Sequence, residues 1–160
     1  MKGRVQGASH HGAYMLRFEG DVRLTLSASI DDYFQKMCED PDFTSVIFDL
    51  SKAEGLDSTT LGIMAKAALK IRKQFDFCPA IYSSQPGITR LLQSMGFNKL
   101  FELRDSVFAN SGLTSDIPMV PSSKDKMRDK VLEAHRTLME LSEENKVQFA
   151  NLVTTLEEVG

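Results

Sequence analysis

Tryptophan is absent from the 160-residue sequence, cysteine occurs twice and histidine three times. Cys38 and Cys78 are too few for a disulfide framework or a zinc site, and they read as two buried, reduced thiols. His10 and His11 are adjacent but have no third ligand nearby, so the pair reads as part of a solvated turn and no metal is expected. His135 stands apart, and none of the three histidines lies near a nucleophile in a recognisable pattern. No apolar run approaches the roughly 18 residues of a membrane-spanning helix. The opening Met1-Lys2-Gly3-Arg4-Val5-Gln6 lacks the apolar stretch of a signal peptide. A cytoplasmic protein with no membrane partner is therefore expected. The net charge is only −3, which argues against a nucleic-acid partner. The sequence also lacks a P-loop, a Gly-x-Ser-x-Gly elbow and a dinucleotide fingerprint. Its paired carboxylates Glu143-Glu144 read as a solvated helix face. The expectation is a protein that is not an enzyme, has no catalytic residues and needs no cofactor.

What is present is an ordinary globular composition, 42% apolar and 26% charged, long enough to bury a core without covalent staples. It is unevenly distributed. Residues 1–103 hold 12 basic and 12 acidic side chains, whereas residues 104–160 hold 7 and 10. Eleven of the 13 aromatic residues lie before position 104, and only Phe108 and Phe149 follow it. The chain divides into a neutral, aromatic-bearing front and an acidic, aromatic-poor tail.

In the front, residues 14–19 alternate loosely and read as a strand, with a weaker strand around Val5. Residues 7–12 read as the turn between them, and Gly20-Asp21 as the strand's end. Residues 27–38 read as a helix capped by Ser27 or Ser29, with Asp31 and Asp32 in its first turn. Asp40-Pro41-Asp42 breaks it. Residues 45–50 form a nearly continuous apolar run, the pattern of a buried strand. A loop over residues 51–56 follows. Residues 58–74 make the strongest helix of the front, with Leu61, Met64, Ala65, Ala68 and Ile71 on one face and Lys66, Lys70 and Lys73 on another. Residues 79–83 read as a strand, Pro86-Gly87 opens a helix that stops at Gly96, and residues 101–103 read as a last strand. Strands alternating with helices predict an α/β fold: a mostly parallel mixed sheet with helices packed on it.

Residues 105–123, with Asn110-Ser111-Gly112, Pro118, Pro121 and Ser122-Ser123, read as a linker. Residues 124–158 contain neither glycine nor proline and predict one amphipathic helix, capped by Ser122 or Ser123 and roughly 50 Å long. Its seam runs Met127, Val131, Ala134, Leu138, Leu141 and is interrupted at Asn145 and Gln148. Three uses of that seam stand open: packing on the chain's own domain, a homodimer through this helix, or a partner helix.

The junction Asp57-Ser58-Thr59-Thr60-Leu61-Gly62 places consecutive hydroxyl residues at the start of a helix just after a buried strand. Capping by Asp57 or Ser58 accounts for part of it. In α/β sheets, loops at strand C-termini also build sites. A phosphate on Ser58 would meet the positive end of the helix and add about −1.5 to −2 charges to an exposed patch.

Strand, then Leu56-Asp57-Ser58-Thr59-Thr60-Leu61-Gly62, then helix, resembles the Asp-Ser-[Ser/Thr]-Gly-Leu-Gly signature of STAS domains, which include bacterial anti-sigma-factor antagonists. Phe18-Glu19-Gly20-Asp21 takes the place of that family's strand and glycine-containing turn. Pro86-Gly87-Ile88-Thr89-Arg90-Leu91-Leu92 and Met95-Gly96-Phe97-Asn98-Lys99-Leu100-Phe101 resemble its third helix and final strand. The glycine of the signature is Thr60 here, and the acidic turn ends on Arg23. The resemblance covers residues 2–104 and implies a STAS domain over 1–104, the linker 105–123 and the helix 124–158 as an addition.

It further implies partner switching. Ser58 would be phosphorylated by an anti-sigma factor that is a serine kinase and dephosphorylated by a PP2C-type phosphatase, with Thr59 as a secondary acceptor. The unphosphorylated form would bind the anti-sigma factor and free the sigma factor. Asp21, Asp57, Ser58, Thr59, Thr60 and Gly62 are the partner-binding residues expected, with Asp57 presenting Ser58 and Leu61 packed inward. The alternative is a STAS-type scaffold or accessory module, in a stress-signalling assembly or a lipid-transport system, without a phosphoswitch.

Overall fold

The computed structural model describes residues 2–108 and 114–159. Its elements, in chain order, are β1 (Arg4–His10), β2 (Ala13–Val22), α1 (Ser27–Glu39), β3 (Ser45–Leu56), α2 (Ser58–Phe75), β4 (Ala80–Tyr82), α3 (Pro86–Ser94), β5 (Glu102–Arg104), β6 (Ser115–Asp116), α4 (Lys124–Met139) and α5 (Glu143–Val159). The strands form one mixed sheet in the order β5-β4-β3-β2-β1-β6. β2, β3, β4 and β5 pair in parallel, and β1 is antiparallel to both neighbours. The expected α/β architecture is the observed one.

The central strands carry the core. Leu16 and Phe18 of β2 and Val46, Phe48 and Leu50 of β3 are fully buried at alternate positions, as a half-covered pleated strand dictates. Phe48 is the hub of an aromatic cluster, edge-on to Phe34 of α1 and to Phe101, with ring centroids 5.6 Å away in each case. Such pairs add about 0.5–1.5 kcal/mol beyond their burial. From α2, Leu61, Met64, Ala65, Ala68 and Ile71 all point inward and are essentially buried, as their helical spacing requires.

Several local readings change. β1 continues through His10, which pairs with Ala13, so the turn is only His11-Gly12 and not residues 7–12. Both turn residues have left-handed φ, 48° and 83°, the geometry of a tight two-residue hairpin. Residues 51–56 are not a loop: β3 runs on to Leu56 because β2 runs on beside it to Val22, across two register shifts. Gly20, at φ 70°, absorbs one of these irregularities. Neither Ser27 nor Ser29 caps α1. A short 3₁₀ turn leads directly into it, and Ser29 Oγ instead accepts from Val120 N at 2.9 Å, pinning the segment before α4. Asp31 is buried and holds Lys66 and Lys130 instead of serving the helix terminus. Cys38 is buried, but Cys78 is exposed, in the segment between α2 and β4.

The expected linker contains β6, which adds to the sheet edge at Gln6 and Gly7 of β1. Its Asn110-Ser111-Gly112 lies outside the described residues. The single long helix is two helices. Ser123 caps α4 through Lys126 N, and Ser142 starts α5 by accepting from Asn145 N at 3.1 Å. Asn145 is fully buried, and its Nδ2 donates to Leu138 O at the end of α4 and to Met95 O. Its amide nitrogen thus adds a second bond to the Leu138 carbonyl, which Leu141 N also reaches at 3.1 Å. The hairpin then folds back on the front of the chain: α4 lies across α1 and α2, and α5 lies against α4. Of the three uses left open for the apolar seam, packing on the chain's own domain is the one observed, with Ala134, Leu138, Phe149 and Val153 buried.

Candidate functional site

Asp57 is the last extended residue before α2 and its N-cap. One carboxylate oxygen accepts from Thr60 N at 2.9 Å and the other from Leu24 N at 2.7 Å. The first bond satisfies an orphan donor of the helix start. The second ties that start to the segment after β2, and Asp57 N donates to Val22 O at 3.3 Å. Both carboxylate oxygens are therefore committed to holding the turn in which Ser58 sits.

Ser58 is the first residue of α2 and is half-buried. Its Oγ lies 2.7 Å from Nε2 of His135, a residue of α4 that is only 2% exposed. His135 Nδ1 lies 2.6 Å from Val131 O. A carbonyl only accepts, so Nδ1 carries the proton and a neutral ring offers Nε2 as a bare acceptor. In that neutral tautomer the Ser58 hydroxyl donates to His135. Phe149 of α5 stands edge-on behind the imidazole, with centroids 5.0 Å apart. The pair resembles a nucleophile and its base, but the imidazole is oriented by a backbone carbonyl and not by a carboxylate. What it does here is fix the Ser58 hydroxyl against α4 while the residue stays half-buried.

The remaining expected residues divide by burial. Thr59 is 3% exposed and Thr60 fully buried, with Thr60 Oγ1 directed at Val22 O, 3.5 Å away. Thr60 is thus turned into the strand end and not toward a partner, and Thr59 is not at the surface in this packing. Leu61 is buried as expected. Gly62, one turn beyond Ser58, is the crossing point of α2 and α4: a Cβ there would lie 2.3 Å from Ala134 O and 2.5 Å from Ala134 Cβ. Only a residue without a side chain lets α4 approach this closely. Asp21 is half-exposed at the same end of the sheet, paired with Arg23 at 2.9 Å, and precedes Val22, which pairs with Leu56.

One further turn along, Lys66 joins three helices. Its ammonium reaches Glu133 of α4 at 2.8 Å and Asp31 of α1 at 3.3 Å, and Lys130 of α4 also pairs with Asp31. Burial pulls the Lys66 ammonium down, but Glu133 and Asp31 more than offset it and leave its pKa raised. Ser58, Gly62 and Lys66, spaced four apart, therefore form one stripe of α2 that α4 covers.

His135 is the residue that the sequence did not expose. Nothing in the sequence places it near a nucleophile, yet it touches the Ser58 hydroxyl. The separation of 77 positions leaves no local signal of the contact. The hint available was its place beside Ala134 on the apolar side of the tail.

The STAS domain family model matches residues 5–110. Solved structures share the fold. An anti-sigma factor antagonist from Mycobacterium paratuberculosis aligns with a TM-score of 0.56 at 20% identity, over 66% of this chain and 87% of that one. The anti-sigma factor antagonist SpoIIAA in its unphosphorylated form aligns with a TM-score of 0.54 at 10% identity, over 66% of this chain and 90% of that one. The Bacillus cell fate determinant SpoIIAA in its phosphorylated form gives 0.52 at 11% identity, over 69% and 93%. A search of curated proteins gave no match. The family match ends before α4 and α5 begin, so the helices that cover Ser58 lie outside it. With that match spanning well over half of the sequence, and the sheet and helices arranged as described, the chain belongs to the STAS domain family.

Proposed function

We propose that the chain is a cytoplasmic, non-enzymatic anti-sigma-factor antagonist that works by partner switching at Ser58. The observation that carries this reading is the position of the Ser58 hydroxyl. It stands at the first residue of an 18-residue helix, in a turn that Asp57 fixes from both carboxylate oxygens. A phosphoryl group transferred there from ATP, with loss of the hydroxyl proton and release of ADP, would sit at the positive end of α2. The modification would change the charge of the docking face and spare the sheet. The unphosphorylated form binds the anti-sigma factor and frees the sigma factor. A serine kinase, the anti-sigma factor itself in this reading, adds the phosphate, and a PP2C-type phosphatase removes it.

Ser58, Asp57 and Asp21 are the accessible part of the docking surface. Thr59, Thr60 and Gly62 are buried, Thr60 against the strand end and Gly62 under Ala134, and Thr59 is the weaker acceptor because it is buried. A scaffold without a phosphoswitch is the competing reading, and the Ser58–His135 bond favours it in one respect by giving the hydroxyl a structural use. Incubation with ATP and the serine kinase of the same genome separates the two. A gain of one phosphate that disappears in Ser58→Ala supports switching; no gain with any such kinase supports the scaffold.

A further inference from the structure

The α4–α5 hairpin meets the Ser58 face of α2 through three contacts of different kinds. The first is the Ser58–His135 hydrogen bond at 2.7 Å. The second is the seat of Ala134 on Gly62, where a single added methyl would sit 2.3 Å from a backbone oxygen. The third is the charge cluster of Lys66, Glu133, Asp31 and Lys130. We propose that this hairpin is a latch closed over the Ser58 face, and that phosphorylation of Ser58 opens it. The proposal rests on the reading of Ser58 as the phosphoacceptor.

The geometry makes the closed latch and the phosphate incompatible. A phosphoryl group on Oγ, directed at His135, needs the length of further covalent bonds where the two side chains are already in hydrogen-bond contact. The imidazole does not swing away to make that room. Val131 O holds its Nδ1 at 2.6 Å, and the Phe149 ring stands behind it. α4 must therefore recede as a body, which takes Ala134 off its seat on Gly62. If Ser58 instead turns its phosphate outward to water, His135 Nε2 is left buried without its donor, a loss that itself weakens the closed state. Asp57, the cap of the same turn, opposes the phosphate, while the Lys66, Glu133, Asp31 and Lys130 cluster lies about 12 Å along α2 and is paired within itself. In the unmodified chain the same bond works in reverse, and the latch limits access to the hydroxyl.

The test needs neither kinase nor partner. Phosphoserine installed at position 58 during translation of the full chain is compared with the unmodified chain by amide hydrogen exchange. The expected result is exchange about tenfold or more faster across α4 and α5, with the amides of β2 and β3 still protected. Unchanged or slower exchange in α4 and α5 overturns the latch. His135→Ala, without phosphate, breaks the same contact and is expected to speed α4 and α5 exchange several-fold. No change in that variant overturns the latch even where the phosphorylated chain loses its sheet protection. Failure of the two readings is distinguishable. Release by installed phosphoserine in a chain that no kinase modifies refutes the phosphoacceptor reading alone. Retained α4 protection in a chain that a kinase does modify refutes the latch alone.

Discussion

Gly62→Ala sets helix propensity against packing, and the two have opposite signs. In the interior of an isolated helix, alanine is better than glycine by about 0.8–1 kcal/mol. At position 62 the added methyl would lie 2.3 Å from Ala134 O, 2.5 Å from Ala134 Cβ and 2.6 Å from Ala134 C. Two of these atoms are backbone, so no rotamer change relieves the contact and α4 itself must shift. Overpacking of this kind costs about 1–3 kcal/mol. The shift also stretches the 2.7 Å Ser58–His135 bond, a net hydrogen bond of about 0.5–1.5 kcal/mol. The balance is a destabilisation of about 1–3 kcal/mol, or a melting temperature lower by about 2–12 °C in a chain of this size. Urea titration by far-ultraviolet circular dichroism measures the free energy, and hydrogen exchange shows whether the loss falls on α4 and α5. Gly87→Ala is the internal control. Nothing lies within 4 Å of a Cβ at Gly87, so that substitution should stabilise by about 0.4–1 kcal/mol. A Gly62→Ala protein more stable than the parent would refute the seating of Ala134 on α2, and the latch argument with it.

Asp57→Ala should destabilise by about 1–2 kcal/mol, because it strips the cap from Thr60 N and a partner from Leu24 N; thermal melts should show Asp57→Asn recovering most of the loss. Tyr14 should be the last tyrosine to ionise. Its burial, together with the 2.5 Å hydrogen bond to Asp40, raises it from 10.0 to about 12. The folded chain thus holds this proton more tightly than the unfolded chain. The associated stability is intact below pH 10 and is lost as pH rises from 10 toward about 12. An absorbance titration of phenolate formation should show a late step that Tyr14→Phe removes; a titration curve left unchanged by Tyr14→Phe above pH 10 would contradict it.

The alternation of strands and helices was legible because the core residues carry it. Phe18, Phe48, Leu61 and Ile71 fall at the positions their periods require. The reach of β3 was not legible, since Ser51-Lys52-Ala53-Glu54-Gly55 has the composition of a loop. It is a strand because β2 extends alongside it, a pairing decided across the sheet and not along the chain. The break between α4 and α5 did leave a trace. Ser142 followed by Glu143 and Glu144 is a helix start, with a cap and then acids in the first turn. The missing glycine and proline concealed it. Ser58 was identified from its neighbours in sequence, whereas its cover was not, because His135 meets it only through tertiary packing. Gly62 belongs to the signature in sequence, and its physical reason is Ala134 on top of it.

If Ser58 governs which partner the chain holds, its two phosphorylation states differ in affinity for that partner. Isothermal titration of the anti-sigma factor of the same genome with the serine form and the phosphoserine-58 form measures it directly. Tight binding by the serine form is expected, and binding weaker by about a hundredfold or more, about 2.8 kcal/mol, in the phosphorylated form. Equal affinity of the two forms would contradict it.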